Sequence, residues 1–317
     1  MFKKLFLILA GIGLFAFILW KNKDNLAQVW VLLKTADWRL CVAGFLSLLV
    51  MVYLKGVRWS VLLKMQGHTY SIWNCFLIYM GSLFWGNVTP GRAGDFMKVL
   101  YLKEDLGLSI GTGMTSVLVD RVFDLYLLLI LGSLGVLIYP LGINPQLVHL
   151  VWIFFAVLIL VSFLVFNRRI GEVLIKAVFQ RVLGPSLKEK ANQAFSDFHA
   201  GMEAFYSFRL IFPALLSLAA YLVFFEGSSW MAQAIGFSIN FFFLAFVLSV
   251  VNIVSLLTFL GMGTREGALI LLFGLIGIGQ AQALAYSFLI FFIGTVLFTL
   301  VALVCYFLKP VQFKNPF

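Results

Sequence analysis

The 317 residues are 62% hydrophobic and only 11% charged, with a formal net charge of +10. Soluble domains hold about 25% charged residues, so too few charges are present to cover a globule of this size, and 35 Phe with 8 Trp exclude a disordered chain. The apolar residues form continuous rather than alternating blocks, which excludes a β-barrel, and the expected fold is an all-α, polytopic integral membrane protein.

In chain order, the first apolar block covers 5–20, after Lys3 and Lys4. No small-residue cleavage site follows it, only Lys21-Asn22-Lys23-Asp24, so an uncleaved first helix is expected rather than a signal peptide. The second block, 38–54, ends in Lys55-Gly56-Val57-Arg58-Trp59, an interfacial signature of basic and aromatic residues. Cys41 and Cys75 lie in apolar blocks, as does Cys305 near the end; they are expected to be free, buried thiols. The third block, 71–86, breaks at a Gly- and Pro-rich stretch from Gly86 to Asp95, and the next segment, 96–103, is short. Neither half reaches the roughly 20 residues of a spanning helix, so a re-entrant hairpin or a helix broken inside the membrane is expected.

Residues 110–139 are mostly apolar but contain Asp120, Arg121 and Asp124. Residues 148–166 read as a clean span. The stretch 167–209 then carries seven Lys or Arg and reads as a cytoplasmic, amphipathic and basic insertion within one transmembrane domain, 1–317. Within it Gly171 to Leu183 is helical, Gly184-Pro185 is a break, and helix resumes from Ser186 to Tyr206; such a segment is expected on the bilayer surface. Residues 210–226 form another span, with Glu226 at its end. The block 237–260 breaks at Gly261-Met262-Gly263-Thr264-Arg265-Glu266-Gly267, apolar sequence resumes over 268–278, and 284–308 is the last span.

With the amino terminus in the cytoplasm, six full spans result and both termini face inward. Sixteen of the 23 Lys and Arg then lie on the cytoplasmic side and four, Lys21, Lys23, Lys34 and Arg39, lie outside. This bias accounts for the net charge without nucleic acid, since basic residues face the anionic leaflet. Arg92, Arg121 and Arg265 remain in the membrane. Read as re-entrant, the two Gly-rich breaks enter from opposite sides, the pattern of an inverted repeat in a transporter; the alternative is two ordinary kinked helices.

Charges at membrane depth must be paired, hydrated or functional. Asn87, Thr89, Arg92 and Asp95 surround Pro90-Gly91 and Gly94, where freed backbone groups need a cavity or protein cover. Arg92 offers a fork that suits phosphate or carboxylate, and Asp95 can hold it. Asp120 and Asp124 share a helix face, one turn apart; they suit paired arginines, a proton site or a cation site. Arg121 beside them needs a sideways pair or a partner on another helix. Arg265 and Glu266 repeat the order of flexible break, base and acid. The plain alternative at each place is an internal ion pair that locks helices together. Trp59, Trp73, Trp85 and Trp152 read as interfacial anchors or lipid-facing bulk. His68, His149 and His199 lack ligand spacing, so neither a metal site nor a cofactor is expected, and no nucleotide loop or serine elbow is present.

At these residues the chain resembles the lysylphosphatidylglycerol synthetase transmembrane-region family, a flippase-like domain. The similarity runs over roughly 5–305. It rests on Arg58-Trp59, the Asn87-to-Asp95 loop, Asp120-Arg121 with Asp124, and Gly261-x-Gly263-x-Arg265-Glu266-Gly267. Two positions depart from it: Phe259-Leu260 replace a common proline, which implies a less sharp second break, and Lys98 stands for an arginine. The resemblance implies translocation of an anionic, zwitterionic or polyprenyl-linked lipid across the cytoplasmic membrane of a bacterium or archaeon. It does not imply lipid synthesis, for which a soluble aminoacyl transferase domain is needed. Arg92 and Arg265 are then expected to bind phosphate, with Asn87, Thr89, Asp95 and Glu266 beside them, and Asp120, Arg121 and Asp124 to serve as coupling groups or structural ion pairs. The alternatives are a membrane-embedded transferase acting on a lipid-linked substrate, a non-catalytic partner of a separate synthase or transferase, and a small-solute carrier.

Overall fold

A computed structural model describes residues 2–89, 94–138, 185–205, 207–255 and 258–311, with Asn167 and isolated helical positions between 149 and 164. Every regular element among them is a helix. Inside a bilayer this is the solution open to a single apolar segment, because each backbone N–H and C=O must find its partner within the segment.

Helix α1 runs Phe2–Lys21, followed by a 3-10 turn at Lys23–Asn25 and a short α2, Leu26–Lys34. Then come α3, Trp38–Met65, α4, Ile72–Val88, α5, Met97–Leu106, and α6, Ile110–Ile138. Helix α7 is Pro185–Glu203, and a 3-10 turn at Phe208–Leu210 leads into α8, Ile211–Ala234. Helices α9, Phe241–Val254, and α10, Thr264–Gly274, flank the second break. The last helix, α11, Gln280–Leu308, contains a π turn at Phe292–Leu297.

Helices α3, α6, α8 and α11 are long and apolar enough to cross a membrane; shorter apolar helices are Gly11–Lys21 and Phe241–Val254. Their outward faces are greasy: Val42, Leu46, Val50 and Tyr53 on α3, and Leu300, Val304 and Phe307 on α11, are exposed. Such stripes suit lipid, not water. The chain is therefore a multi-pass membrane protein. Trp20, Trp30 and Trp38 are about two-thirds exposed near Lys21, Lys34 and Arg39, as an interfacial belt requires.

Helices α3 and α8 run antiparallel, tied at one end where the Asp37 N–H donates to the Ala234 carbonyl at 2.9 Å. Lipid tails give no hydrophobic drive for helix pairing, so small residues must let backbones approach. A Cβ on Gly227 would stand 1.6 Å from Ser47 Oγ. The buried centre is aromatic, with Phe225, Phe243, Phe246, Phe273 and Tyr286.

Three expectations change in detail. Helix α3 does not stop at 54 but continues through Lys55 and Arg58 to Met65, because those charges are neutralised inside the protein. Trp59 is fully buried, with Nε1 3.3 Å from Ser116 Oγ, and is no interfacial anchor. Helix α8 continues past Glu226 to Ala234, leaving Glu226 exposed in mid-helix. Helix α7 begins at Pro185, where a missing N–H costs nothing. Its apolar face, Phe198 and Met202, with Phe205 just beyond its end, packs on Leu62 of α3 and Val119 of α6, so the described part of the amphipathic insertion is seated on protein. The expected span at 148–166 and the helix at 171–183 fall largely outside the described residues.

The flanks of the first broken segment meet. Tyr70, before α4, donates to Asp105 in α5; Lys309 Nζ lies 2.9 Å from Asp105, and Tyr101 donates to the Lys309 carbonyl at 2.7 Å. Burial and the neighbouring Asp105 push the Tyr70 phenol upward, which keeps it the donor at neutral pH. At the opposite end of α11, Asn25, just before α2, lies 3.4 Å from Gln280.

The first break folds back on α4. Thr89 Oγ1 donates to the Trp85 carbonyl at 2.7 Å and accepts from the Gly94 N–H at 2.8 Å. A Cβ on Gly94 would stand 2.1 Å from the Trp85 carbonyl carbon. Gly94→Ala is therefore expected to destabilise the protein by about 1–3 kcal/mol through forced backbone displacement. Gly13→Ala, on an open helical face, is expected to be neutral or stabilising by up to about 1 kcal/mol. Thermal unfolding of both variants in detergent checks the contrast.

Candidate functional site

The site grows from Asp120 and Asp124 of α6. Successive turns place both on one face, and both are buried. Carboxylates there demand cations, and two other elements, α3 and α5, supply them. Arg58 of α3 donates to Asp120 Oδ1 through Nε at 2.8 Å and Nη2 at 2.6 Å, and through Nη1 to Asp124 Oδ1 at 2.9 Å. The same Nη1 reaches Ser217 Oγ of α8 at 2.8 Å. Lys98 of α5 lies 3.0 Å from Asp120 Oδ2, over the face of Tyr79 at 3.2 Å, and the Tyr79 hydroxyl donates to the same oxygen at 2.9 Å. Lys55, one turn before Arg58, lies 3.0 Å from Asp124 Oδ1 and 4.5 Å over the Tyr221 ring.

Arg121, for which a sideways pair or a partner on another helix was open, lies closest to a carboxylate on another element. Nη2 lies 2.9 Å from Asp95 Oδ2, in the first break, and Nη1 lies 3.8 Å from Asp124 Oδ2. Lys55, Arg58, Lys98 and Arg121 thus face Asp95, Asp120 and Asp124, which leaves one positive charge in excess when all are ionised.

The second break holds a separate pair. Leu260 adopts φ 54°, followed by Gly261 at 72° and, after Met262, Gly263 at 81°. Left-handed backbone is costly for leucine, so the break is sharp without a proline. Glu266 Oε2 accepts from the Gly263 N–H at 2.7 Å, satisfying a free donor at the start of α10. Its Oε1 accepts from Arg265 Nε at 3.0 Å and from Ser287 of α11 at 2.9 Å; Arg265 Nη2 also donates to it. The Arg265 guanidinium lies 4.6 Å over the Phe291 ring.

Both breaks open onto one cavity of about 450 Å³. One wall carries Lys55, Asn87, Thr89, Asp95, Arg121 and Asp124; the other carries Asn252, Ser255, Thr258 and Arg265. Leu48, Leu83, Leu128 and Leu248 complete an apolar remainder. The size and the mixed lining suit a small polar group with an apolar attachment.

Of the residues singled out in the sequence, Asn87, Thr89, Asp95, Arg121, Asp124 and Arg265 line this cavity. Asn87 is held by Thr299, at 2.7 Å. Asp120 and Glu266 lie behind the walls as fully buried anchors. Arg92 falls outside the described residues. Sequence reasoning missed Lys55, Arg58 and Lys98, which it placed in cytoplasmic loops. The signal was available: Lys55 and Arg58 are three apart on one face, and two membrane carboxylates need cations. Among the described residues no His, Cys, Asp or Glu group could hold a metal ion.

Removing one partner of a buried ion pair leaves the other uncompensated. Arg58→Ala and Glu266→Ala are each expected to destabilise the protein by about 3–5 kcal/mol. Arg58→Lys, which keeps the charge but loses the fork, is expected to recover only part of that loss. Thermal midpoints in detergent order the three variants.

Residues 7–302 match the family model described as the lysylphosphatidylglycerol synthase TM region. Among curated proteins, a UPF0104 membrane protein of Methanothermobacter thermautotrophicus is 24% identical over 291 residues, covering 86% of this chain and 83% of that one. A UPF0104 membrane protein of Methanocaldococcus jannaschii is 26% identical over 167 residues, covering 51% and 49%. No solved structure matches. With nearly its whole length matched, the chain belongs to the lysylphosphatidylglycerol synthase transmembrane-region family.

Proposed function

We propose that this protein moves a lipid across the cytoplasmic membrane, holding the headgroup in the cavity between its two broken segments while the tails stay in the bilayer. The observation that carries the reading is the shared cavity. Two glycine-rich breaks, far apart in sequence, line it together with buried charges. Broken helices around a polar site are how membrane transporters expose free backbone groups to a substrate. We read both hairpins as re-entrant and as the two halves of an inverted repeat, with both termini cytoplasmic, so that rocking one half against the other exposes the site alternately.

Several observations support lipid over a small solute. The cavity joins charged residues to an apolar remainder, and the spans around it present apolar faces outward. The excess positive charge suits an anionic headgroup. Membership of a family described by a lipid synthase's membrane region points the same way.

Transport is measured in proteoliposomes with headgroup-labelled lipids of several classes, with and without a proton gradient. The wild type is expected to move one class. Thr295→Trp, which fills the cavity from the π turn of α11, is expected to slow that transport at least tenfold while leaving the thermal midpoint unchanged. A folded wild type that moves no class under either condition removes the reading and puts a transferase or synthase-partner role in its place.

A further inference from the structure

Most cations around the cavity are already held by carboxylates with aligned hydrogen bonds. Arg58 is engaged at all three nitrogens by Asp120, Asp124 and Ser217. Lys98 is fully buried between Asp120 and two aromatic faces. Arg265, the arginine expected to bind phosphate, is held by Glu266 and Ser287 and covered by Phe291.

Arg121 is different. It lines the cavity with 21% of its side chain exposed. Nε and Nη2 are shielded from solvent, yet neither donates a hydrogen bond to any described residue. The Asp95 carboxylate is close to Nη2 but is not aligned to accept from it. Asp95 is equally unsatisfied: its side chain is only 5% exposed, it lines the same cavity, and Oδ1 has no hydrogen-bond partner among the described residues. A guanidinium with idle donors beside a buried carboxylate with an idle acceptor is a poorly made pair in a place where well-made ones are required.

We infer that Arg121 is the anion-binding group of the cavity, that Asp95 is its resting counter-ion, and that the phosphate of a lipid headgroup displaces Asp95 to take the idle donors. The inference rests on the translocation reading and deepens it by naming the substrate chemistry. A phosphate presents several oxygens to a guanidinium fork, where Asp95 offers one poorly placed oxygen. A singly charged phosphodiester also neutralises the one excess positive charge of the cluster. Lys55, on the same wall, supplies a second cation within the cavity.

The test is equilibrium binding to the purified full-length protein in detergent, read by native mass spectrometry. The probes are phosphatidylglycerol, a polyprenyl phosphate and a phosphate-free glucosyl diacylglycerol. Wild type is expected to bind at least one phosphate lipid tenfold or more tighter than the glucolipid, and the tighter of the two names the source. Arg121→Gln is expected to abolish that preference. Asp95→Asn, which removes the competing carboxylate, is expected to tighten phosphate-lipid binding severalfold. A merely structural pair moves both variants in the same direction, so weaker binding in Asp95→Asn, or an unchanged preference in Arg121→Gln, overturns the inference. Asp95→Asn decides the matter alone if Arg121→Gln fails to fold. Phosphate binding that depends on Arg121 without transport rejects translocation alone; transport that ignores Arg121 rejects the anion assignment alone.

Discussion

Two carboxylates one turn apart on a membrane helix set the terms for this protein. Asp120 and Asp124 are buried, so their charge must be answered by protein. Arg58, Lys55 and Lys98 answer it from α3 and α5, and Ser217 and Tyr79 fill the remaining hydrogen-bond positions. The cluster therefore cross-links α3, α4, α5, α6 and α8 through directional bonds. Apolar contacts alone could not do this in lipid, where one greasy surface is as good as another.

The second organising feature is the pair of breaks. Glycine and short polar side chains let the backbone leave the helical ladder, and each freed group then needs a substitute. Thr89 serves the first break by bridging the Trp85 carbonyl and the Gly94 N–H; Glu266 serves the second by accepting from the Gly263 N–H. The two solutions differ in what they leave over. Glu266 also binds Arg265 through Nε and Nη2, so the second break holds a well-made pair. Asp95 leaves Arg121 incompletely satisfied, so the first break keeps unused donors and an unused acceptor beside the cavity. This asymmetry separates a clamp that holds structure from a group that can exchange partners.

Much of the architecture was legible in the sequence because it is written locally. Composition and continuous apolar blocks identified a helical membrane protein. The glycine clusters at 86–94 and 261–267 marked the breaks, and the one-turn spacing of Asp120 and Asp124 marked a shared face. Arg265 next to Glu266 already suggested a pair. Boundaries were less legible where charge masqueraded as a helix end. Lys55 and Arg58 looked like the cytoplasmic flank of a short span, and Trp59 like its aromatic anchor, since nothing nearby reveals that their counter-ions are far along the chain.

Sequence by itself thus determined the class of protein, the helices, the breaks and the residues too polar for their surroundings. Tertiary structure decided which of those residues meet. Arg58 and Asp120 are 62 positions apart, and Asn87 and Thr299 are 212 apart. Arg121 could have turned to either neighbouring carboxylate on its own helix, and only packing brought it to Asp95. The physical reason is that helix period and backbone breaking depend on neighbours within a turn or two. Ion pairing and a shared cavity depend instead on which helix faces are brought within about 3–4 Å, and a linear pattern of residues does not contain that distance.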